Sequence, residues 1–378
     1  NNVFKIPYAP LPRGENSVSA FIPVARISDM LLNPGKKFDY NGSEYTYPDI
    51  DLIYWAGGNP FHHHQDLGRM RKAWQKPSTV IVNDWCWNAL ARHADIVLPC
   101  TTTFERQDIG MNPRDPYVIS MDKAIDAIGE ARDDFHIFAS IARRMGAENR
   151  FTEGRTAEDW QRWIWEESRK KAAELNVAMP DYESFRRAGF YKSPDLGEDR
   201  VFLSEFFSDP ENCALGTPSG KIELFSKTVD SFGYDDCPGH PTWLAPNEWL
   251  GAQQKDFQLH LVSNQPRTKL HSQLDNGKLS QSIKIRGHEP IELNPYDAKA
   301  RGITDGDIVR VFNHRGACIC GAYVTEDVMR GVVIISTGSW YDPEEPANTN
   351  SMCKHGNPNM LSPDIGTSKL AQGPAAHS

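Results

Sequence analysis

The residues best placed to meet a ligand stand where apolar runs stop. Leu52, Ile53, Tyr54 and Trp55 form a short continuous apolar run, the pattern of a strand buried on both faces of a parallel sheet. Gly57-Gly58-Asn59-Pro60 follows, and two residues without Cβ let the backbone turn sharply and approach a bound group. Leu67, Met70 and Trp74 then recur at helical spacing, so the glycines lie between a strand's carboxyl end and a helix start, where open α/β sheets bind ligands. An ordinary strand-to-helix turn has the same signature. Two further runs end alike: Ser78–Val82 in Asn83 and Asp84, and Ala94–Pro99 in Thr101, Thr102 and Thr103. The triplet His62-His63-His64 suggests a metal, but consecutive side chains diverge around a helix start and one ion cannot take all three. Seven cysteines without a CxxC pair disfavour a disulfide framework and zinc or iron–sulfur sites. Cys318 and Cys320 share one face of a strand as small buried hydrophobes.

Strands alternating with helices at this spacing predict a doubly wound parallel sheet over residues 1–180. A helix is expected over Phe21–Leu32, closed by Asn33-Pro34-Gly35. Another starts at Asp133 or Asp134, lines one face with Phe135, Phe138, Ile141 and Met145, and ends at Gly146. Thr156-Ala157-Glu158-Asp159 reads as a capping box opening a helix through Trp160 and Trp163, whose rings serve packing. Residues 181–250, rich in Pro, Gly and Asp, read as a connection with one hairpin-like piece at 217–224. From Phe257 the pattern turns to β. Strands are expected at Phe257–Val262, Asp307–Phe312, Ala317–Val324 and Gly331–Ile335, with a short helix capped by Asn294, begun by Pro295 and terminated by Gly302. That predicts a small closed barrel over 251–378. The last forty residues lose periodicity yet hold Trp340, His355, Asn357 and Gln372, as a tail that is disordered or laid over a ligand.

Of 378 residues 39% are hydrophobic, enough for two or three domains, and no apolar run approaches the roughly 20 residues that span a bilayer. The net charge of −9 and the absence of a basic stripe argue against nucleic acid. The first residues carry neither an initiator Met nor a signal pattern, as expected of a piece of a longer chain, so the compartment is not legible.

Separated segments resemble one family: GGNPFHHHQD, ARHADIVLP with FERQDI, TPSGKIELFS, SNQPRTKLHSQ, HEPIELNPYDAKARGITDGDIVRVFN, GSWYDP, HGNPN and GTSKLAQG, in register along nearly the whole chain. They are similar to the dimethyl sulfoxide reductase family of molybdopterin oxidoreductases, in its trimethylamine N-oxide, dimethyl sulfoxide and biotin sulfoxide reductase branch. The resemblance implies a bis(molybdopterin guanine dinucleotide) molybdenum cofactor and oxygen-atom transfer from an S-oxide or N-oxide to the metal. It implies that this is the carboxy-terminal half, an α/β domain followed by a double-psi β-barrel. The partners implied are the amino-terminal half of the same polypeptide, which carries the serine that ligates the metal, and an electron donor such as a cytochrome or a thiol or flavin reductase.

Position by position, the resemblance assigns Asn59 and His63 to the phosphate and sugar region, Asn83 and Asp84 to ribose or guanine, and Arg106 and Asp134 to further nucleotide contacts. Ser263, Asn264, Gln265, Pro266, Lys269, His271, Ser272 and Gln273 match the run that holds the pterins, and Asn357, Gln372 and Gly373 match contacts of the tail. Without the resemblance, Asp84 and Asp134 read as helix caps and Arg106 as the partner of Glu105 or Asp108. Lys269 stands where an arginine is expected, which keeps the charge and loses the bidentate fork. Asn88 likewise replaces a threonine. No residue is assigned as catalytic or as a metal ligand. Two other readings remain: a non-catalytic nucleotide-binding module, and a formate- or nitrate-type relative with a cysteine, selenocysteine or aspartate ligand.

Overall fold

The structure is a computed structural model that describes residues 8–18, 21–112, 115–194, 201–251 and 256–374. In chain order its strands are β1 (Lys37–Tyr40), β2 (Ser43–Thr46), β3 (Leu52–Ala56), β4 (Thr79–Asp84), β5 (Ile96–Pro99), β6 (Asp108–Met111) and β7 (Tyr117–Met121). They continue as β8 (Phe190–Lys192), β9 (His260–Val262), β10 (Pro290–Leu293), β11 (Ile308–Phe312), β12 (Ala317–Val324) and β13 (Val332–Ile335). Sheets and helices mix in an α/β architecture. One three-stranded sheet runs β3-β4-β5. Its central strand β4 is buried, whereas β3 is not the two-faced buried strand its sequence suggests: it lies at the sheet's edge and Leu52 is half exposed.

Contacts divide the chain into two compact units, 1–19 with 83–86 and 97–223, and 20–82 with 87–96 and 224–378. Residues 20–82 thus group with the carboxy-terminal third.

In the first unit an antiparallel sheet, β6-β7-β8, backs a core of Val118, Trp165, Val177, Tyr182 and Phe185. Residues 182–192, expected to be connection, are a helix (Tyr182–Ala188) and strand β8, which pairs Val118 with Tyr191. The capping box forms: the Asp159 amide donates to Thr156 Oγ1 at 3.1 Å and the Thr156 amide to Asp159 Oδ2 at 2.9 Å, opening a helix over Ala157–Glu174. Its buried tryptophan is Trp165, stacked on Phe185 at 3.8 Å, while Trp160 and Trp163 meet edge to face beside Arg155. Asp133 caps the helix Asp134–Arg144, and Met145 lies exposed past its end instead of on the buried face. Thr217–Gly220 closes a local turn without strands.

In the second unit Pro23 delays the first helix, which is a 3-10 turn at Val24–Arg26 running into Ile27–Leu32. Asn41-Gly42, both at positive φ, turn β1 back on β2. A mixed five-stranded sheet has the order β11-β12-β10-β13-β9, with β12 parallel to β10 and β13 parallel to β9. β11 and β9 remain edges, so strand pairing among the described residues does not close a barrel. β9 begins only at His260. The tail is ordered: the Ile319 amide donates to the Cys353 carbonyl and the Cys353 amide to that of Ala317, laying it along β12. No helix among the described residues is long and apolar enough to cross a membrane.

Phe61 belongs to the core of the second unit. Its ring is fully buried, stacks on His93 at 4.4 Å and meets Trp74 edge to face at 5.5 Å. Phe61→Ala is expected to cost roughly 3–5 kcal/mol in chemical denaturation, the loss of a buried ring plus the cavity left behind; a loss below about 1 kcal/mol would show that the aromatic stack does not hold this core.

Candidate functional site

Gly57 and Gly58 sit at φ +85° and +76°, so the loop after β3 requires glycine by its backbone. The short helix Pro60–His63 follows, with Asn59 as N-cap: its Oδ1 accepts from the Phe61 amide at 3.0 Å. Asn59 Nδ2 is buried and has no hydrogen-bond partner among the described residues. The histidine triplet diverges as expected. His62 stacks on Trp340 with ring centroids 5.2 Å apart, His64 is buried, and His63 lines a cavity.

That cavity, about 390 Å³, lies wholly in the second unit. It brings together five of the expected residues: His63, Ser263, Asn264, Gln265 and His271. Four further polar residues of its wall, Gln65, Thr337, Asn359 and Ser362, were not singled out from the sequence. The signal for Thr337 was present. β9 and β13 are parallel, so Ser263 and Thr337 follow strand ends on one edge of the sheet, and the Thr337 amide donates to the Asn264 carbonyl at 2.9 Å. The rule that pointed to Asn83 at the end of β4 points equally to β13.

Other expected residues have structural partners. Lys269 is not open to a ligand: its Nζ is buried and donates to Asp275 Oδ1 at 2.7 Å and to both Glu289 oxygens. Pro266 is buried, Gln273 is exposed in a turn onto the Leu270 carbonyl, and the Ser272 carbonyl accepts from Trp340 Nε1 at 2.7 Å. Asn357 Nδ2 donates to the Ser339 carbonyl at 2.9 Å, Gln372 Nε2 to that of Asp39 at 2.8 Å, and the Gly373 carbonyl accepts from the Thr367 amide. None of these seven lines the cavity.

The first unit holds a second polar set. Asn83 Nδ2 donates to Asp134 Oδ1 at 2.8 Å, and Asp84 Oδ1 accepts from the Trp85 amide at 2.8 Å. Arg106 donates to the Thr101 carbonyl and pairs with Asp108, the plainer of its two sequence readings, while Glu105 accepts from the amides of Thr102 and Ile128. Thr101 Oγ1 is buried with no partner.

Burial holds His62 and His64 neutral, each with its pKa pushed down to about 4, and also lowers that of His63. Ser263 Oγ and Ser362 Oγ, both in the cavity wall, are buried without a hydrogen-bond partner among the described residues. An unpaired buried hydroxyl is costly, so these atoms are donors awaiting an acceptor. The wall carries amide, hydroxyl and imidazole groups and no carboxylate. It suits a group rich in acceptor oxygens and ring nitrogens, as a dinucleotide is.

Residues 10–144 match the family described as molybdopterin oxidoreductase, and residues 259–378 match the molydopterin dinucleotide binding domain. The chain belongs to the molybdopterin oxidoreductases, and the cofactor these families indicate is the molybdenum-bearing molybdopterin guanine dinucleotide. Its relatives include a dimethyl sulfoxide/trimethylamine N-oxide reductase of Cereibacter sphaeroides, 50% identical over 355 residues, covering 93% of this chain and 43% of that protein. A biotin sulfoxide reductase of the same organism is 46% identical over 95% of this chain and 48% of its own length. A trimethylamine-N-oxide reductase of Haemophilus influenzae is 46% identical over 95% and 44%. The chain thus spans less than half the length of these relatives. Among solved structures, acetylene hydratase from Pelobacter acetylenicus superposes with a TM-score of 0.64 at 20% identity, over 87% of this chain and 43% of that one, a likeness of fold alone.

The neutral histidines set a pH dependence. With folded pKa values near 4 against an ordinary 6.5, the unfolded chain binds more protons in that window, so stability is full above pH 6.5 and falls as pH drops toward 4. Each contributes about 3 kcal/mol at most. Urea midpoints measured from pH 7 to 4 are expected to decline, and less steeply in His64→Phe; a wild-type midpoint flat across the window contradicts this.

Proposed function

We propose that this chain is the dinucleotide-holding part of a molybdenum reductase that removes the oxygen atom of an S-oxide or N-oxide such as dimethyl sulfoxide, trimethylamine N-oxide or biotin sulfoxide. The observation that carries the reading is the polar cavity whose buried hydroxyls, Ser263 Oγ and Ser362 Oγ, lack partners among the described residues. The identities of 46–50% to reductases of these three substrates support it. When bound, the molybdenum cofactor supplies the two-electron chemistry: oxide, two electrons and two protons give the reduced product and water.

The chain's own share is binding and orientation. In the second unit His63, Ser263, Asn264, Gln265, His271, Thr337, Asn359 and Ser362 would hold one dinucleotide portion through neutral hydrogen bonds. In the first, Asn83, Asp84 and Asp134 would meet a nucleotide, the aspartates accepting from guanine N–H groups, with Arg106 and Thr101 beside them. In this reading Lys269, Pro266, Ser272, Gln273, Asn357, Gln372 and Gly373 shape the site from behind. The same reading makes the three-stranded sheet part of a doubly wound domain and the five-stranded sheet part of a double-psi β-barrel, with family boundaries near 180 and 250. The proposed partners are an amino-terminal portion of the same polypeptide, since the relatives are more than twice as long, and a separate electron donor.

The test is metal and guanine analysis together with reduced-viologen oxidation on the three oxides, using protein from a host that makes the cofactor. This chain joined to the amino-terminal portion is expected to contain molybdenum and guanine nucleotide and to turn over at least one oxide, whereas the chain alone shows no turnover. Full-length protein without molybdenum or tungsten would overturn the reading.

A further inference from the structure

Asp275 was not among the residues expected to matter, yet more of the second unit hangs from it than from any cavity residue. Its Oδ1 accepts from Lys269 Nζ at 2.7 Å and Lys284 Nζ at 2.9 Å, and its Oδ2 from the Trp340 amide at 3.1 Å. Glu289 accepts from the same two lysines at 3.0–3.1 Å. The four charged side chains are 0–2% exposed, so two ammonium groups and two carboxylates balance without water. His355 is the member that reaches the surface, at 24% exposure.

The cavity wall is tied to this cluster at several points. Gln265 Nε2 donates to the Lys269 carbonyl at 3.1 Å, and Trp340 Nε1 to that of Ser272 at 2.7 Å. Between them Gly338, at φ +94°, lies so close that a Cβ would stand 1.8 Å from the His271 carbonyl oxygen. Residues 263–273 and the strap 336–341 are therefore pressed together, and they carry Asn264, Gln265, His271 and Thr337 of the wall. His355 Nε2 lies 2.9 Å from Lys284 Nζ and 3.0 Å from Asp275 Oδ2. One ring nitrogen either accepts from the ammonium or donates to the carboxylate, never both at once.

We propose that Asp275 and His355 are positioning residues: they fix the 263–273 run against the strap and so set the spacing of the cavity walls, without touching the bound group. This rests on the reading that the cavity holds a guanine dinucleotide portion of the cofactor. Removing a partner that orients a binding group weakens the group's hold, as with the outer partners of metal ligands.

Asp275→Asn leaves a buried charge unbalanced and can fail to fold, so the test uses Trp340→Phe, His355→Leu and His355→Gln in the full-length protein from a cofactor-making host. Phenylalanine keeps a ring against His62 and loses the indole donor. Glutamine offers an oxygen to Lys284 and a separate N–H to Asp275, so it satisfies both. Two quantities are read: loss of guanine nucleotide and molybdenum during dialysis, and hydrogen exchange of the Thr337 amide in cofactor-free protein. Trp340→Phe and His355→Leu are expected to lose nucleotide roughly tenfold faster and to exchange Thr337 faster, with His355→Gln at the wild-type rate in both. Equal loss in Trp340→Phe and wild type, or a glutamine variant that behaves as the leucine variant, overturns the assignment. Wild-type protein devoid of guanine nucleotide overturns the underlying reading and this assignment with it, whatever the exchange rates.

Discussion

Two lysines and two carboxylates, Lys269, Lys284, Asp275 and Glu289, sit out of water in one hydrogen-bonded group, and the second unit is arranged around their neutralisation. Desolvating four charges is costly, and the cost is offset only when every donor and acceptor finds its partner; deleting one member leaves a bare buried charge worth about 3–5 kcal/mol. Burial opposes ionisation of Asp275, yet hydrogen bonds from His355, Lys269 and Lys284 hold its carboxyl well below the usual range. The constraint spreads outward. Glu289 stands immediately before β10, so the cluster meets the central strand of the five-stranded sheet. Gly356, at φ +72°, passes so near that a Cβ would lie 2.7 Å from the Glu289 Cβ, which fixes the tail's turn beside the same residue.

The consequence for the site is a separation of labour. The carboxylates and lysines of this cluster are spent on holding the chain together, and the cavity wall is left with amides, hydroxyls and imidazoles. The neighbouring His62 and His64 are kept neutral by burial, each ring holding a single N–H at ordinary pH. Neutral donors recognise acceptor oxygens by direction more than by charge. They hold a phosphate-bearing group without attracting every passing anion, and geometry therefore matters more than in a cationic site.

Much of this was legible in the sequence, because the signals were local. Gly57-Gly58, the Asn294-Pro295 cap, the Thr156/Asp159 box and the alternation of β11 each depend on neighbours a few residues away, and each formed. The Asn41-Gly42 hairpin was equally local and was passed over, although Asn-Gly between alternating aromatics is a strong hairpin signal. What sequence could not show were partnerships at long range. Nothing near Lys269 announces that Glu289 neutralises it, or that β7 pairs with β8 some seventy residues later. β3 reads as buried on both faces because an apolar run does not reveal that its strand is an edge. Of the assigned residues in the cavity, Ser263, Asn264 and Gln265 follow a strand end and His63 closes the short helix after the Gly57 loop, whereas Lys269, Asn357 and Gln372 spend their polar atoms on the chain itself.

In the proposed reading, a dinucleotide of the molybdenum cofactor lies in the cavity after β9 and β13. The most direct measurement is an experimental density map of the full-length protein purified from a cofactor-producing host. The account expects nucleotide density in this cavity, with acceptor atoms within hydrogen-bond distance of Ser263 Oγ and Ser362 Oγ and the Lys269 ammonium still on Asp275 and Glu289. A cofactor seen elsewhere, with both hydroxyls bonded only to water or protein, would contradict it.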